Sequence, residues 1–431
     1  MYQVRNVIIS LVTAVSVLCL SAEVAAAPKD NPEIESSFTE GMAALKDNRL
    51  ETAIQYFQNI LSIDPSLDRA QLELALAYYR TLRYAEAEKQ AQAVLDDPLT
   101  PPEVRVTVLA FLAQVKRDSK AFGQKNKFTP FLTGGIMHDS NVNVGPVDQD
   151  IRIGGEDITL APQSLKRSDN AYVLNTGISH LYQSGKRVQV GERTGMLVWQ
   201  SGASVYSRQY YDASDFDLVV ASINTGPAVL MLRSWRASLQ FQTDYLTLGD
   251  KALGWFSSIK PSITWQRTNS ELTWDAIYTR RFYHQDTDKG RKGNYLDTGL
   301  SGGLYFDNRR VVGSGGARAI AFFADKDEFS YTGIQFKVGI STDTYRNGSA
   351  YARQQYSYYS YDGEDPRFEK GRKDNEYIST LGLVHEYNEP EDLLKGWILN
   401  LFWERSENDS TIGQLYSYRR YQTMLSLSRN F

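Results

Sequence analysis

The stretch Trp235-Arg236-Ala237-Ser238-Leu239-Gln240-Phe241-Gln242-Thr243-Asp244-Tyr245 alternates apolar or aromatic residues with polar or charged ones at every step. A period of two puts successive side chains on opposite faces of a strand, so one face here is greasy and the other is wet. Apolar-out, polar-in alternation over about ten residues is the pattern of a transmembrane β-strand, weak in one segment and persuasive when it recurs. It recurs from Phe128 to the end of the chain, at 128–139, 170–183, 195–209, 214–225, 234–246, 254–266, 271–284, 294–306, 311–324, 329–343, 350–360, 376–388, 396–406 and 418–431. Fourteen is an even number, as a single-chain barrel requires.

Composition fits that reading. The chain has 431 residues, 12% aromatic with 27 tyrosines, and a mean hydropathy of −0.41. A membrane barrel uses tyrosine at both interfaces, where an apolar ring with a polar tip is favoured. The net charge of −4 and the lack of a long basic run argue against nucleic acid as a partner.

The connections should alternate in length. Thr268-Asn269-Ser270, Asp307-Asn308-Arg309-Arg310 and Arg346-Asn347-Gly348 read as tight turns at one end of the barrel. Val142 to Asp169, Asp286 to Gly293 and Tyr361 to Asn375 read as longer polar loops at the other end. Asp325-Lys326-Asp327-Glu328 is short where a loop is expected. Small residues such as Gly299, Ser301, Gly303, Ser314 and Gly316 leave an interior open or let a plug pack closely.

Ahead of the strands the period changes to about 3.6, and helices are predicted over 33–46, 50–61, 68–80, 84–95 and 102–118. Gly41, Ala44, Ala53, Phe57, Ile60 and Pro65 are answered about 34 residues later by Ala75, Tyr78, Ala87, Ala91, Val94 and Pro98. This resembles the tetratricopeptide repeat, in which small residues let two antiparallel helices approach closely. The last helix, 102–118, is the natural cap. By the geometry of the repeat, Arg69, Leu72, Leu76, Tyr79 and Arg80 should line a concave groove for a protein segment, unless Leu72 and Leu76 simply fill core between helices.

Residues 1–26 read as a secretory signal peptide, with Arg5, an apolar run from Val7 to Leu20, and small residues ending at Ala26. The helical domain is then placed in the periplasm at 31–121, and the barrel at 128–431. The one cysteine, Cys19, lies in the apolar run behind Leu18, so a lipid attachment signal is not expected. A chain cleaved there has no thiol chemistry.

Chemistry elsewhere is not expected. His138, Asp139 and Ser140 supply the letters of a hydrolytic triad, but on a strand Asp139 faces away from His138 and Ser140. His180, His284 and His385 fall one to a strand, with no zinc spacing. No enzyme activity and no cofactor are expected. Asp and Asn in Asp139-Ser140-Asn141-Val142-Asn143 favour a turn out of the first strand. The last strand carries Tyr421, Thr423, Leu425, Leu427, Arg429 and Phe431 on one alternation, and its closing aromatic resembles the signal read by barrel-insertion machinery.

The leader, the short repeat segment and a barrel whose first strand ends Gly134-Gly135-Ile136-Met137-His138-Asp139-Ser140-Asn141-Val142-Asn143 together resemble the surface lipoprotein assembly modulator (Slam) family. The resemblance implies a type XI secretion translocon in the outer membrane. Its barrel would conduct a surface lipoprotein or a soluble haem- or metal-scavenging cargo, and its periplasmic helices would engage that cargo and a chaperone. The helical domain here is shorter than in the best-known members, which leaves lipidated and soluble cargo both open. A passive porin and a surface adhesin are the other classes the sequence allows.

Overall fold

The computed structural model describes residues 31–98, 100–122, 125–146, 149–153, 155–231, 234–391 and 393–431. The expected signal peptide and Cys19 lie outside them. The chain divides into two compact units: one holds the helices together with Gln189–Thr194, and the other holds Gln124–Val188 and Gly195–Phe431.

The helical unit is a run of antiparallel pairs, α1 (Pro32–Lys46), α2 (Leu50–Ile63), α3 (Asp68–Arg80), α4 (Tyr84–Asp96) and α5 (Pro102–Phe122). Asn31 caps α1 by accepting from the Glu33 N–H, and Pro32 occupies the first turn, where its missing donor costs nothing. The pairs close on small residues. A Cβ on Gly41 would lie 3.0 Å from the Phe57 ring, and Ala53, Ala75, Ala87 and Ala91 are fully buried. The turn inside each pair repeats as well: Asn48 and, 34 positions on, Leu82 both take left-handed backbone (φ 61 and 59). Leu82 bears that strain without being glycine or asparagine, because its side chain is buried in the pair.

The second unit is a closed antiparallel barrel. Its strands are β1 (Asn126–Asp139), β4 (Asp169–Val190), β5 (Arg193–Tyr210), β6 (Leu218–Met231), β7 (Trp235–Leu248), β8 (Lys251–Gln266), β9 (Ser270–Tyr283), β10 (Gly293–Phe306), β11 (Val311–Ala324), β12 (Tyr331–Tyr345), β13 (Gly348–Asp365), β14 (Lys370–Glu386), β15 (Trp397–Ser410) and β16 (Tyr418–Asn430). A separate hairpin, β2 (Asp150–Ile153) with β3 (Glu156–Thr159), sits in the long connection after β1. The barrel closes where β1 meets β16, in register from Phe131 opposite Asn430 to Asp139 opposite Gln422.

The alternation read from the sequence is the inside and outside of this barrel. Leu239 and Phe241 of β7 are exposed on its outer surface. The intervening residues face the lumen and pair there: Asp244 accepts from Ser222 at 2.6 Å and from Gln242 at 2.7 Å, and Gln242 accepts from Lys260 at 2.7 Å. An outer face bearing Ile223, Trp255, Leu300, Phe336, Val338, Ile340 and Leu381 is what a bilayer solvates, and closure leaves no sheet edge unpaired in lipid. The protein is therefore an outer-membrane barrel of the bacterial type. No described helix is long and apolar enough to cross a membrane.

Two connections differ from expectation. The polar stretch 361–375 is mostly strand: β13 runs on to Asp365 and β14 starts at Lys370, with a register shift between Ser360 and Glu364. Lumen-side pairs such as Arg372 with Asp374 stabilise charged residues there that a pattern search reads as loop. Conversely, the connection 387–396 is long although it lies at the end where the other turns are short. The short connection 325–330 does not disturb the register, since Phe322 pairs with Tyr331 across it.

Candidate functional site

The end of β1 builds a buried polar cluster. Asp139 points inward while His138 and Ser140 point outward, as alternation requires. The Asp139 carboxylate is fully buried. Arg420 Nε donates to Oδ1 at 2.9 Å and to Oδ2 at 3.1 Å, and its Nη2 also bonds Oδ2. Tyr210 Oη donates to Oδ2 at 2.8 Å, Gln422 Nε2 to Oδ2 at 3.0 Å and the Asn141 N–H to Oδ1 at 3.0 Å. An ionised carboxylate only accepts, and here donors from β5, β16 and the connection after β1 occupy both oxygens. Met137, Val142, Ala171, Val173, Tyr210 and Ala213 form an apolar cluster around it, with Met424 packed alongside.

The rest of the motif ties the long connection after β1 to itself. Asn141 is buried and pairs with Gly145 in both directions, its Oδ1 accepting from the Gly145 N–H and its Nδ2 donating to the Gly145 carbonyl, each at 3.0 Å. Asn143 Nδ2 donates to the Leu165 carbonyl at 2.7 Å, and its Oδ1 accepts from the Arg167 N–H at 3.1 Å. Ser140 adds one rung to the β1–β16 seam through its N–H to Tyr421 O and its Oγ from Tyr421 N. His138 Nδ1 lies 2.9 Å from Asn170 Oδ1 on the outer surface. His138, Asp139 and Ser140 do not form a hydrolytic triad, because the partner of Asp139 is Arg420 and His138 faces the other way.

A second cluster stands at the same end. Tyr416, in the one-turn helix α6 (Gly413–Tyr416), donates through Oη to Asp365 at 2.5 Å, and the Arg372 guanidinium lies 3.6 Å from its ring centre. In the same connection Gln414 accepts from the Arg152 N–H of β2 at 2.8 Å. Sequence reading missed Arg420, Gln422, Tyr210 and Tyr416. For Arg420 and Gln422 a signal existed: in a closed barrel the last strand lies beside the first, which puts their inward positions beside Asp139. Nothing in the sequence pointed to Tyr210 or Tyr416.

In the helical unit the five expected groove residues separate. Arg69 stacks on Phe38 of α1 at 5.1 Å. Leu72 and Leu76 are half-buried on the same side of α3. Arg80 joins the repeats, donating to Leu45 O at 3.0 Å and Asn48 Oδ1 at 2.8 Å. Tyr79 is no lining residue. It is 5% exposed, donates to Asp118 Oδ2 at 2.5 Å, and packs edge-on against Tyr84 and Phe111, because α5 covers the side of α3 that a groove reading leaves open.

Glu73 shares the face of Arg69 and Leu76. Burial pushes its carboxyl above the ordinary range and Arg69 only partly opposes this. An acid whose pKa is raised on folding favours the folded state in its protonated form, so its contribution is present at low pH and lost as pH rises through the folded value. Glu73→Gln is expected to raise the melting temperature of the helical unit at pH 7 and to flatten its dependence between pH 4 and 7. Circular dichroism at 222 nm checks this; an unchanged pH profile counts against it.

Phe431 donates its N–H to Pro130 O at 2.9 Å, and its exposed ring meets Trp397 edge-on and the Arg429 guanidinium at 5.0 Å. Among the described residues no cluster of three or more His, Cys, Asp or Glu is placed to hold a metal.

A tetratricopeptide repeat model matches residues 44–109. No curated protein sequence matches the chain. Among solved structures, OccAB4 of Acinetobacter baumannii aligns at 10% identity over 72% of this chain and 99% of its own, with a TM-score of 0.34. OprD of Pseudomonas aeruginosa aligns at 9% identity over 72% and 95%, TM-score 0.36. The anion-selective porin of Comamonas acidovorans aligns at 10% identity over 71% and 99%, TM-score 0.36.

Proposed function

We propose that this chain is an outer-membrane translocon that carries a surface lipoprotein or a soluble secreted protein across the outer membrane. The supporting observation is the joining, in one chain, of a protein-binding helical repeat to a closed transmembrane barrel whose first strand ends in the Asp139–Asn143 motif. The face of α3 bearing Arg69, Leu72, Leu76 and Arg80 receives the cargo or a periplasmic chaperone that delivers it. The barrel passes it outward, and the clusters around Asp139 and Tyr416 shape the mouth at their own end of the barrel. Phe431 marks the chain for the barrel-insertion machinery, and outer-membrane lipid covers the apolar exterior. The sequence holds no nucleotide-binding motif, so transfer is biased by folding or capture outside the cell.

Removing residues 32–122 separates the two tasks. The expected result is a barrel that still inserts and still shifts on heated against unheated gels, while the cargo stays inside. Export undiminished by that deletion would refute the division of labour. A passive channel is the second reading, and the polar lumen favours it: Arg318, for instance, bridges Asp275 at 2.7 Å and Asp297 at 2.5 Å there. Steady single-channel conductance of the purified chain, with export unchanged in its absence, would select the channel.

A further inference from the structure

The helical unit stops half-way through a repeat. Positions 41, 75 and 109 are related by the 34-residue period, as are 45, 79 and 113. In the first two repeats these positions are buried: Gly41 lies against the Phe57 ring, and Ala75, Leu45 and Tyr79 are each at most 5% exposed. In α5 the same positions are Leu109, 56% exposed, and Ala113, also exposed. One turn earlier Val106 is 68% exposed. Among the described residues the helix that covers this face in the earlier pairs has no counterpart after α5, which ends at Phe122 ahead of β1 at Asn126. A capping helix should turn a polar face outward; α5 instead turns out Val106, Leu109, Ala110 and Ala113.

The charges beside the strip say what fits it. Toward the C-terminal end of α5, Arg117 and Lys120 are exposed and have no carboxylate partner among the described residues. The second helix of a pair runs antiparallel to the first, so an incoming helix would begin beside these cations. Acidic residues suit the first turn of a helix in any case. The chain's own α4 has this character, with Ala87, Ala91 and Val94 buried on one face and Glu86 and Glu88 near its start.

We propose that the outer face of α5 docks an amphipathic helix of a protein partner, acidic in its first turns and small or aliphatic on its buried face, which completes the third repeat. This rests on reading the helical unit as a protein-binding module and does not require that the barrel pass cargo.

The test uses the full chain in detergent micelles and a fluorescent peptide with the sequence of residues 84–96, stapled across positions 89 and 93, which are exposed in α4. The staple limits the ordering cost that makes so short a free helix marginal. Saturable anisotropy is expected. Leu109→Lys should weaken binding by about tenfold or more, equivalent to about 1.4 kcal/mol, as should a peptide with Glu86 and Glu88 changed to lysine. Leu109 is exposed, so an unchanged melting temperature confirms that the variant is folded. The proposal falls if no saturable binding is seen, if a scrambled peptide binds as well, or if Leu109→Lys has no effect. It falls too if the parent is a dimer that this substitution splits, since a second copy then occupies the strip. Peptide binding is read without reference to export, so either reading can fail alone.

Discussion

Asp139→Ala is expected to lower the stability of the barrel by about 3–5 kcal/mol, because it leaves the Arg420 guanidinium buried and uncompensated. The carboxylate is inaccessible to solvent and Arg420 is only 18% exposed at the side chain, so water cannot replace the lost partner. Tyr210 and Gln422 lose their acceptor in the same substitution. Urea unfolding in micelles, followed by tryptophan fluorescence, measures the effect. Changing Asp139 to Leu and Arg420 to Met together should cost less than the sum of the single changes, since no buried charge is then left alone. If Asp139→Ala unfolds at the parent's urea concentration, the network does not hold the seam. Should the variant insert normally yet fail in export, the motif acts on cargo passage rather than on closure.

Phe57→Ala should be the most damaging single change in the helical unit, at about 3–5 kcal/mol. The ring is fully buried, lies 5.7 Å edge-on from Phe38, and fills the space that Gly41 leaves between the first two helices. Domains of this size are stable by about 5–15 kcal/mol, so a large part of the unit's margin goes. Helical circular dichroism should melt at a much lower temperature, while the heat-dependent gel shift of the barrel is unchanged. A barrel that melts with the helices would show that the two units do not fold separately.

What was legible in the sequence follows from what each pattern encodes. The period of two in Trp235–Tyr245 reports which face each residue takes, and that is fixed locally; fourteen such segments predict the barrel. Strand ends are set by partners on neighbouring strands, which is why the charged stretch around Asp374 read as a loop. In the helices, the 34-residue step identified the close contacts at Gly41 and Ala75. It could not say that α5 lies over Tyr79, because a repeat step fixes the contacts within a pair and not how far the next helix reaches across it. At the first strand, alternation removed the triad by turning Asp139 away from His138. It did not reveal Arg420, which lies 281 residues away and becomes a neighbour only through closure.

Whether the chain exports a protein is read by protease shaving of intact cells. The protein to follow is the secreted protein or lipoprotein encoded by the adjoining reading frame, compared between cells that carry this chain and cells that lack it. With a translocon, this protein is expected to be digested at the surface of the first and protected, trapped inside, in the second, with the difference restored on re-expression. Equal digestion in both strains would contradict it.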